Sequence, residues 1–394
     1  MRLLEKQIYL DYQSAKPVDQ RVVDAMIPFF HEKFGNASSL HKVGDIATDA
    51  LEQSRKKIAQ FINADPDEIV FTSGATEASN LALIGYAMKN KGKGKHIIIS
   101  EVDHISIHNL AKYLTQNGFE VSKVPVDQYG RVRLSKLESR IRDDTILVSI
   151  GYASNEIGTV QPIHEIGKIL GERDIAFHTD AVAAEGLVSI DVKRDNINLM
   201  TLSSNDIYGP RGLGVLYMQK KFRVNPMLLG GGQERGLRSG TEDVASIVGM
   251  ATAAEIMMRE MPEEMRKFTA WRDKLIREIL DNVADSHLNG HRTERLPSNT
   301  HVRFDGIEGE SILLSFKDKN IAISTGSACT SKTLEPSHTL IATGLLHEEA
   351  HGSLQITTGR FNTDEDIDAV IAEIPGIVER LRELSPIYSP RKGA

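Results

Sequence analysis

Cysteine is almost absent from this chain: one thiol, Cys329, stands in 394 residues, so no disulfide can form within it. A basic excess is also missing. The formal net charge of -7 argues against a nucleic-acid-binding surface. No apolar run approaches the roughly 20 residues needed to span a bilayer. The first residues, Met1-Arg2-Leu3-Leu4-Glu5-Lys6, are charged and carry no signal-peptide core. No internal repeat and no low-complexity linker is visible. These absences predict a cytoplasmic protein with neither nucleic acid nor membrane as partner. What is present is ordinary for a globular chain: 40% hydrophobic and 26% charged residues, enough for two packed cores rather than one.

Short β-rich apolar runs at 68–71, 96–99, 145–150, 175–177, 199–202 and 215–218 predict strands. Longer amphipathic segments between them, such as 77–89 and 163–172, predict helices. Such alternation implies an α/β fold with a largely parallel sheet covered on both faces, and ligands then bind beyond the carboxyl ends of the strands. From about residue 251 the pattern changes. A charged helical stretch runs from 254 to about 283, followed by a polar loop at 289–299, short strands, the cysteine loop and a last helix at 363–384. The expected division is a large domain over 15–255 and a smaller α+β domain from 1–14 and 256–394, carrying a cysteine loop at 323–335. The tail 385–394 holds two prolines and is expected to be mobile or bound by a partner.

Several strand ends carry residues suited to chemistry. Thr72-Ser73-Gly74-Ala75-Thr76-Glu77 opens a helix after the first central strand, where backbone N–H groups cradle an anion and Gly74 permits close approach. His104 follows the second such strand, His178-Thr179-Asp180-Ala181 a later one, and Ser203-Ser204-Asn205-Asp206-Ile207-Tyr208-Gly209-Pro210-Arg211-Gly212 the next. Cys329 sits in Ser324-Thr325-Gly326-Ser327-Ala328-Cys329-Thr330-Ser331-Lys332. A lone cysteine is often a small buried hydrophobe, but its small polar neighbours predict an accessible thiol.

Ordered motifs along nearly the whole chain resemble the cysteine desulfurases, pyridoxal-phosphate (PLP) enzymes of the aminotransferase type that take sulfur from L-cysteine for iron–sulfur clusters. They include Phe34-Gly35-Asn36-Ala37-Ser38-Ser39-Leu40-His41, Phe71-Thr72-Ser73-Gly74-Ala75-Thr76-Glu77-Ala78, Asn155-Glu156-Ile157-Gly158-Thr159-Val160-Gln161-Pro162, Gln233-Glu234-Arg235-Gly236-Leu237-Arg238-Ser239-Gly240-Thr241 and Gly359-Arg360-Phe361. The resemblance implies a PLP-dependent transferase fold in a homodimer. It implies phosphate contacts at Ala75, Thr76 and Ser203, with Thr241 contributed to the neighbouring subunit. Asp180 would face the pyridine nitrogen, His104 would stack on the ring and move protons, and Asn155 would position cofactor and substrate. Cys329 would be the sulfur-accepting nucleophile.

The departures from that family concentrate on the same site. Its cofactor segment reads Ser-Ala-His-Lys-Ile-Tyr-Gly-Pro-Lys-Gly, and the lysine that holds the cofactor covalently is Asp206 here. Asn205 replaces the preceding histidine and keeps an amide donor for phosphate. Ala183 replaces a glutamine that bonds the phenolic oxygen, and Gln355 replaces the arginine that grips the substrate carboxylate. Ala15-Lys16 replaces a Thr-Thr pair, which makes Lys16 the candidate amine of a rebuilt site. The expectation is weak standard desulfuration, PLP held without a covalent bond, and a small iron–sulfur scaffold protein as partner. Cys329 would then act as sulfur carrier or as ligand of a shared cluster, thiolates being both nucleophiles and soft iron ligands. Two other readings stand beside it, an active enzyme with a rebuilt site and a purely structural partner. His347-Glu348-Glu349-Ala350-His351 matches a zinc-protease pattern, but Gly352 and an adjoining strand favour a helix end turning into a strand.

Overall fold

A computed structural model describes residues 7–325, 336–386 and 388. The strands are β1 (Ile8–Tyr9), β2 (Ile69–Thr72), β3 (His96–Ser100), β4 (Glu120–Val124), β5 (Thr145–Ser149) and β6 (Ala176–Asp180). They continue with β7 (Leu199–Ser203), β8 (Gly214–Met218), β9 (Ser286–Leu288), β10 (Asn299–Phe304), β11 (Ile321–Ala322) and β12 (Ser353–Thr357). Seven of these form the central sheet in the order β2-β8-β7-β6-β5-β3-β4. Every residue of β2, β3, β5 and β8 is buried, as strands covered on both faces require.

The six strands expected from sequence are all present, with β6 continuing to Asp180. Two features differ from expectation. β4 was not legible because its Glu120 and Lys123 break the apolar run; it is a sheet edge, where charge is tolerated and discourages further pairing. β8 runs antiparallel to both β7 and β2. Only a short connection with a single turn of 3-10 helix at Asn205–Ile207 separates β7 from β8, and without a crossover helix the chain must return antiparallel.

The terminal parts build a second, smaller set of sheets. β10 pairs antiparallel with β9 and β12, and β1 pairs parallel with β11. A 39-residue helix, Val244–Asn282, joins the two regions. It begins ten residues before the charged stretch suggests, because the Asp243 carboxylate caps the Ser246 N–H at 3.1 Å and the first turns are apolar and buried. Lys57 bonds Glu255 in its first half and Lys274 pairs with Asp368 in its second. The helix thus lies against helix Lys42–Phe61 at one end and helix Asp364–Leu384 at the other. His347–His351 forms a single helical turn that ends at Gly352 and enters β12, as expected. Among the described residues no helix is long and apolar enough to cross a membrane, and no three His, Cys, Asp or Glu side chains cluster as a metal site.

Candidate active site

β3, β5, β6 and β7 end on one side of the sheet, and a cavity of about 190 Å³ lies beyond them. Six of the residues singled out in the sequence line it together: Ala75, Thr76, His104, Asn155, Asp180 and Asn205. Ala183 and Asp206 line it as well. Ser203 ends β7, but its N–H is bonded to Glu185 at 2.7 Å and it is not part of the cavity wall. Thr241 lies in a separate hollow with Ser73, Arg238 and Asp243. Cys329, and with it the proposed cluster ligand, lies outside the described residues.

One end of the cavity is a backbone cradle. Helix Ala75–Asn80 continues through a wide turn at Leu81–Gly85 into Tyr86–Asn90, giving one continuous helical run behind its first N–H groups. Gly74, at φ +148°, turns the chain from β2 into that helix, a conformation that side-chain-bearing residues rarely adopt. Gly214 at the start of β8 packs directly on this turn; a Cβ there would lie 2.5 Å from the Gly74 carbonyl carbon. Glu77 accepts from the Ser73 N–H at 2.7 Å and from Arg238 at 3.0 Å, which pins the turn from outside. The result is a rigid helix N-terminus suited to an anion.

The other end holds buried acids. Asp180 is pushed up to about 6 by burial, against a bond from the Val182 N–H and with added repulsion from Asp206. Asp103, which sequence reading did not single out, is pushed up to about 7 by burial although the Gly151 and Ser100 N–H groups donate to it at 2.7 and 2.8 Å. His104 caps helix Ile105–Gln116: its Nδ1 accepts from the Ser106 N–H, which leaves the proton of the neutral ring on Nε2. The cavity walls desolvate this ring and hold its pKa below the ordinary imidazole value. Only the fold could reveal Asp103, because nothing in its sequence neighbourhood shows that β3 and β5 enclose it.

The floor is built around Asp206. Asp206 is 6% exposed, and its carboxyl is pushed up by burial, against attraction from Lys16 and hydrogen bonds from Ser203 and Asn205. Lys16 is also buried. Its Nζ donates to the Asp206 main-chain oxygen at 2.5 Å and lies 5.4 Å from the centre of the Tyr208 ring. Burial lowers the Lys16 pKa, while the Asp206, Glu185 and Glu264 carboxylates raise it. Glu185 is fully buried behind the floor, and one of its oxygens has no hydrogen-bond partner. Gln355 is turned away from the cavity: its Nε2 donates to the main-chain oxygens of Asn155 and Glu156 at 2.6 and 2.8 Å. It therefore fixes the loop bearing Asn155.

That loop is tied to the stem of the cysteine segment. The Glu156 carboxylate accepts from the Ser337 hydroxyl at 2.6 Å, and the His338 ring contacts the Asp103 carbonyl at 2.9 Å. Near the C-terminus, Tyr388 donates to Asp285 at 2.9 Å, and the Arg382 guanidinium covers its ring at 4.5 Å. The ring also fills the space beside Gly306, where a Cβ would lie 2.6 Å from it.

A buried carboxylate at one end and a backbone anion cradle at the other fit a pyridinium phosphate, and the Gly74–Gly214 contact keeps the cradle free of side chains. Among the described residues no lysine lines the cavity.

The model of the aminotransferase class-V family matches residues 8–370. The chain belongs to that family. Its relatives include cysteine desulfurase IscS 1 of Archaeoglobus fulgidus, 54% identical over 96% of this chain and 99% of that one. The cysteine desulfurase IscS of Methanosarcina thermophila is 49% identical over 97% of this chain and 94% of that one. Among solved structures, a NifS-like protein superposes with a TM-score of 0.89 at 34% identity, over 95% of this chain and all of the other. The PLP-dependent transferase fold expected from sequence is the fold observed.

Proposed function

We propose that this protein serves iron–sulfur cluster assembly by docking a small scaffold protein and presenting Cys329, as sulfur carrier or as cluster ligand, while standard L-cysteine desulfuration is weak. The observation that carries this reading is the cavity floor: Asp206 stands at the covalent-attachment position and is buried, and among the described residues no lysine lines the wall. Gln355 adds to it, because an amide held by two main-chain carbonyls offers a substrate carboxylate no charge. When bound, PLP supplies an electron sink for amino-acid chemistry. In this chain the Ala75–Thr76 cradle would hold its phosphate and Asp180 its ring nitrogen, without a covalent bond. His104 would stack on the cofactor ring and offer its Nε2–H as a hydrogen-bond donor, and the ring takes up a proton only where Nδ1 releases the Ser106 N–H. We infer a homodimer in which Thr241, which does not line the cavity of its own chain, completes the neighbour's phosphate site.

Incubation with L-cysteine and PLP, assayed for alanine and sulfide, tests the weak chemistry; turnover typical of enzymes overturns it. Cluster assembly with a Cys329→Ser protein tests the thiol. An unchanged cluster and unchanged sulfur transfer would leave only a structural partner. One observation favours a second reading, an active enzyme with a rebuilt site: Lys16 is a desolvated amine bonded to the main chain of Asp206 itself. Borohydride reduction with PLP and peptide mapping decides, since the rebuilt site requires a pyridoxyl group on Lys16.

A further inference from the structure

We propose that Lys16 is a positioning residue for the cavity floor: its buried ammonium is charge-coupled to Asp206, so that positions 16 and 206 work as one unit and position 206 can carry an amine only when the charge at 16 is removed. The two residues lie 190 positions apart in sequence and meet through the Lys16 Nζ bond to the Asp206 carbonyl. Three carboxylates, Asp180, Glu185 and Asp206, crowd this floor; burial raises all three, and repulsion from Asp206 raises Asp180 and Glu185 further. Lys16 is the cation that attracts both Asp206 and Glu185. A buried charge without a counter-charge is costly, and a like charge beside it more so.

Lys16 has no water to fall back on. It is 7% exposed, and the neighbouring cation Arg360 is already engaged by Asp19 at 2.7 Å and Glu264 at 2.5 Å. Its remaining face meets the Tyr208 ring, which is oriented by the Arg360 N–H donating to its hydroxyl at 2.8 Å. An ammonium in this setting is held in place by the floor carboxylates and the Asp206 carbonyl. A second ammonium at position 206 would stand beside the first at the cavity floor, where a like charge drives one of the two amines neutral or destabilises the floor. The inference is independent of what Cys329 does, and either can fail without the other.

The experiment is a double-mutant cycle on the full chain with Lys16→Met and Asp206→Asn, read as thermal unfolding midpoints without cofactor. Each single change is expected to lower the midpoint, and the double to lower it by less than the sum, while Lys16→Arg stays close to the parent. Strict additivity overturns the coupling. A second readout uses PLP and borohydride. The Asp206→Lys protein is expected to yield little pyridoxyl adduct at position 206, and the Lys16→Met/Asp206→Lys protein at least tenfold more. Equal adduct in the two overturns the proposal, as does a pyridoxyl adduct on Lys16 in the unaltered chain. If Asp206→Lys alone does not fold while the double variant does, the coupling is upheld by that difference.

Discussion

Replacing Glu234 by alanine tests how the glycine-rich loop is held. Arg55 makes a bidentate pair with Glu234, at 2.9 and 2.8 Å, with the two side chains 6% and 2% exposed. Glu234 also accepts from the Phe71 N–H at 2.8 Å, and Arg55 stacks 4.9 Å from the Phe71 ring. Glu234 and the next residue both adopt left-handed backbone, at φ 47° and 59°, so the loop is strained where the pair anchors it. Removing the carboxylate leaves a buried guanidinium and an unpaired N–H. Breaking a buried pair costs about 3–5 kcal/mol. The low end, about 3 kcal/mol, is expected because Glu52 still contacts Arg55 Nε at 3.1 Å. The assay is urea denaturation followed by circular dichroism. Arg55→Met/Glu234→Met, an apolar exchange of both partners, should cost less than Glu234→Ala alone. A loss below about 1 kcal/mol for Glu234→Ala, or a double variant as costly as the sum of the two single Met variants, would refute the reasoning.

Asp103 titrates near 7 in the fold against about 4 when unfolded, so between those values the folded chain holds a proton that the unfolded chain has lost. Its contribution to stability therefore falls as pH rises from about 4 to about 7, by at most about 4 kcal/mol, and Asp103→Asn should flatten that part of the curve of stability against pH. A slope unchanged by the substitution sinks the assignment. Truncation after Arg382 removes Ser385 and Tyr388, which hold the Gly306 loop and Asp285, and should abolish the scaffold complex in a pull-down or by calorimetry. Cys329→Ser should leave docking intact and alter cluster lifetime or sulfur transfer. Gln355→Leu leaves the Asn155 and Glu156 carbonyls without their amide donor and should cost about 1–3 kcal/mol in unfolding experiments, with a weakened PLP affinity because the Asn155 loop loosens.

Much of the fold was written in local pattern. Buried strands such as β3 and β5 are unbroken apolar runs because a sheet covered on both faces leaves no polar position, and each is followed by a helix with an amphipathic period. Six residues singled out near strand ends, Ala75, Thr76, His104, Asn155, Asp180 and Asn205, meet in one cavity, whereas Ser203, also at a strand end, does not line it. The missing lysine at position 206 was equally plain, since an absent amine requires no structure to notice. β4 and the antiparallel course of β8 were not, because edge strands tolerate charge and strand direction depends on the length and path of a connection.

Tertiary structure decided what no local window holds. Asp103 becomes a raised acid only because the fold buries it, against the bonds it accepts from the Gly151 and Ser100 N–H groups. Gln355 could have faced a substrate, but the register of β12 against β10 turns its amide onto the Asn155 loop instead. Lys16 read as the candidate amine of a rebuilt site, and only folding buries it against Asp206. The sequence by itself determined the family, the strand ends and the absence of the attachment lysine, because these depend on residue identity and local period. Burial, charge neighbours and the direction of each side chain depend on what the rest of the chain packs there, and only the assembled fold sets them.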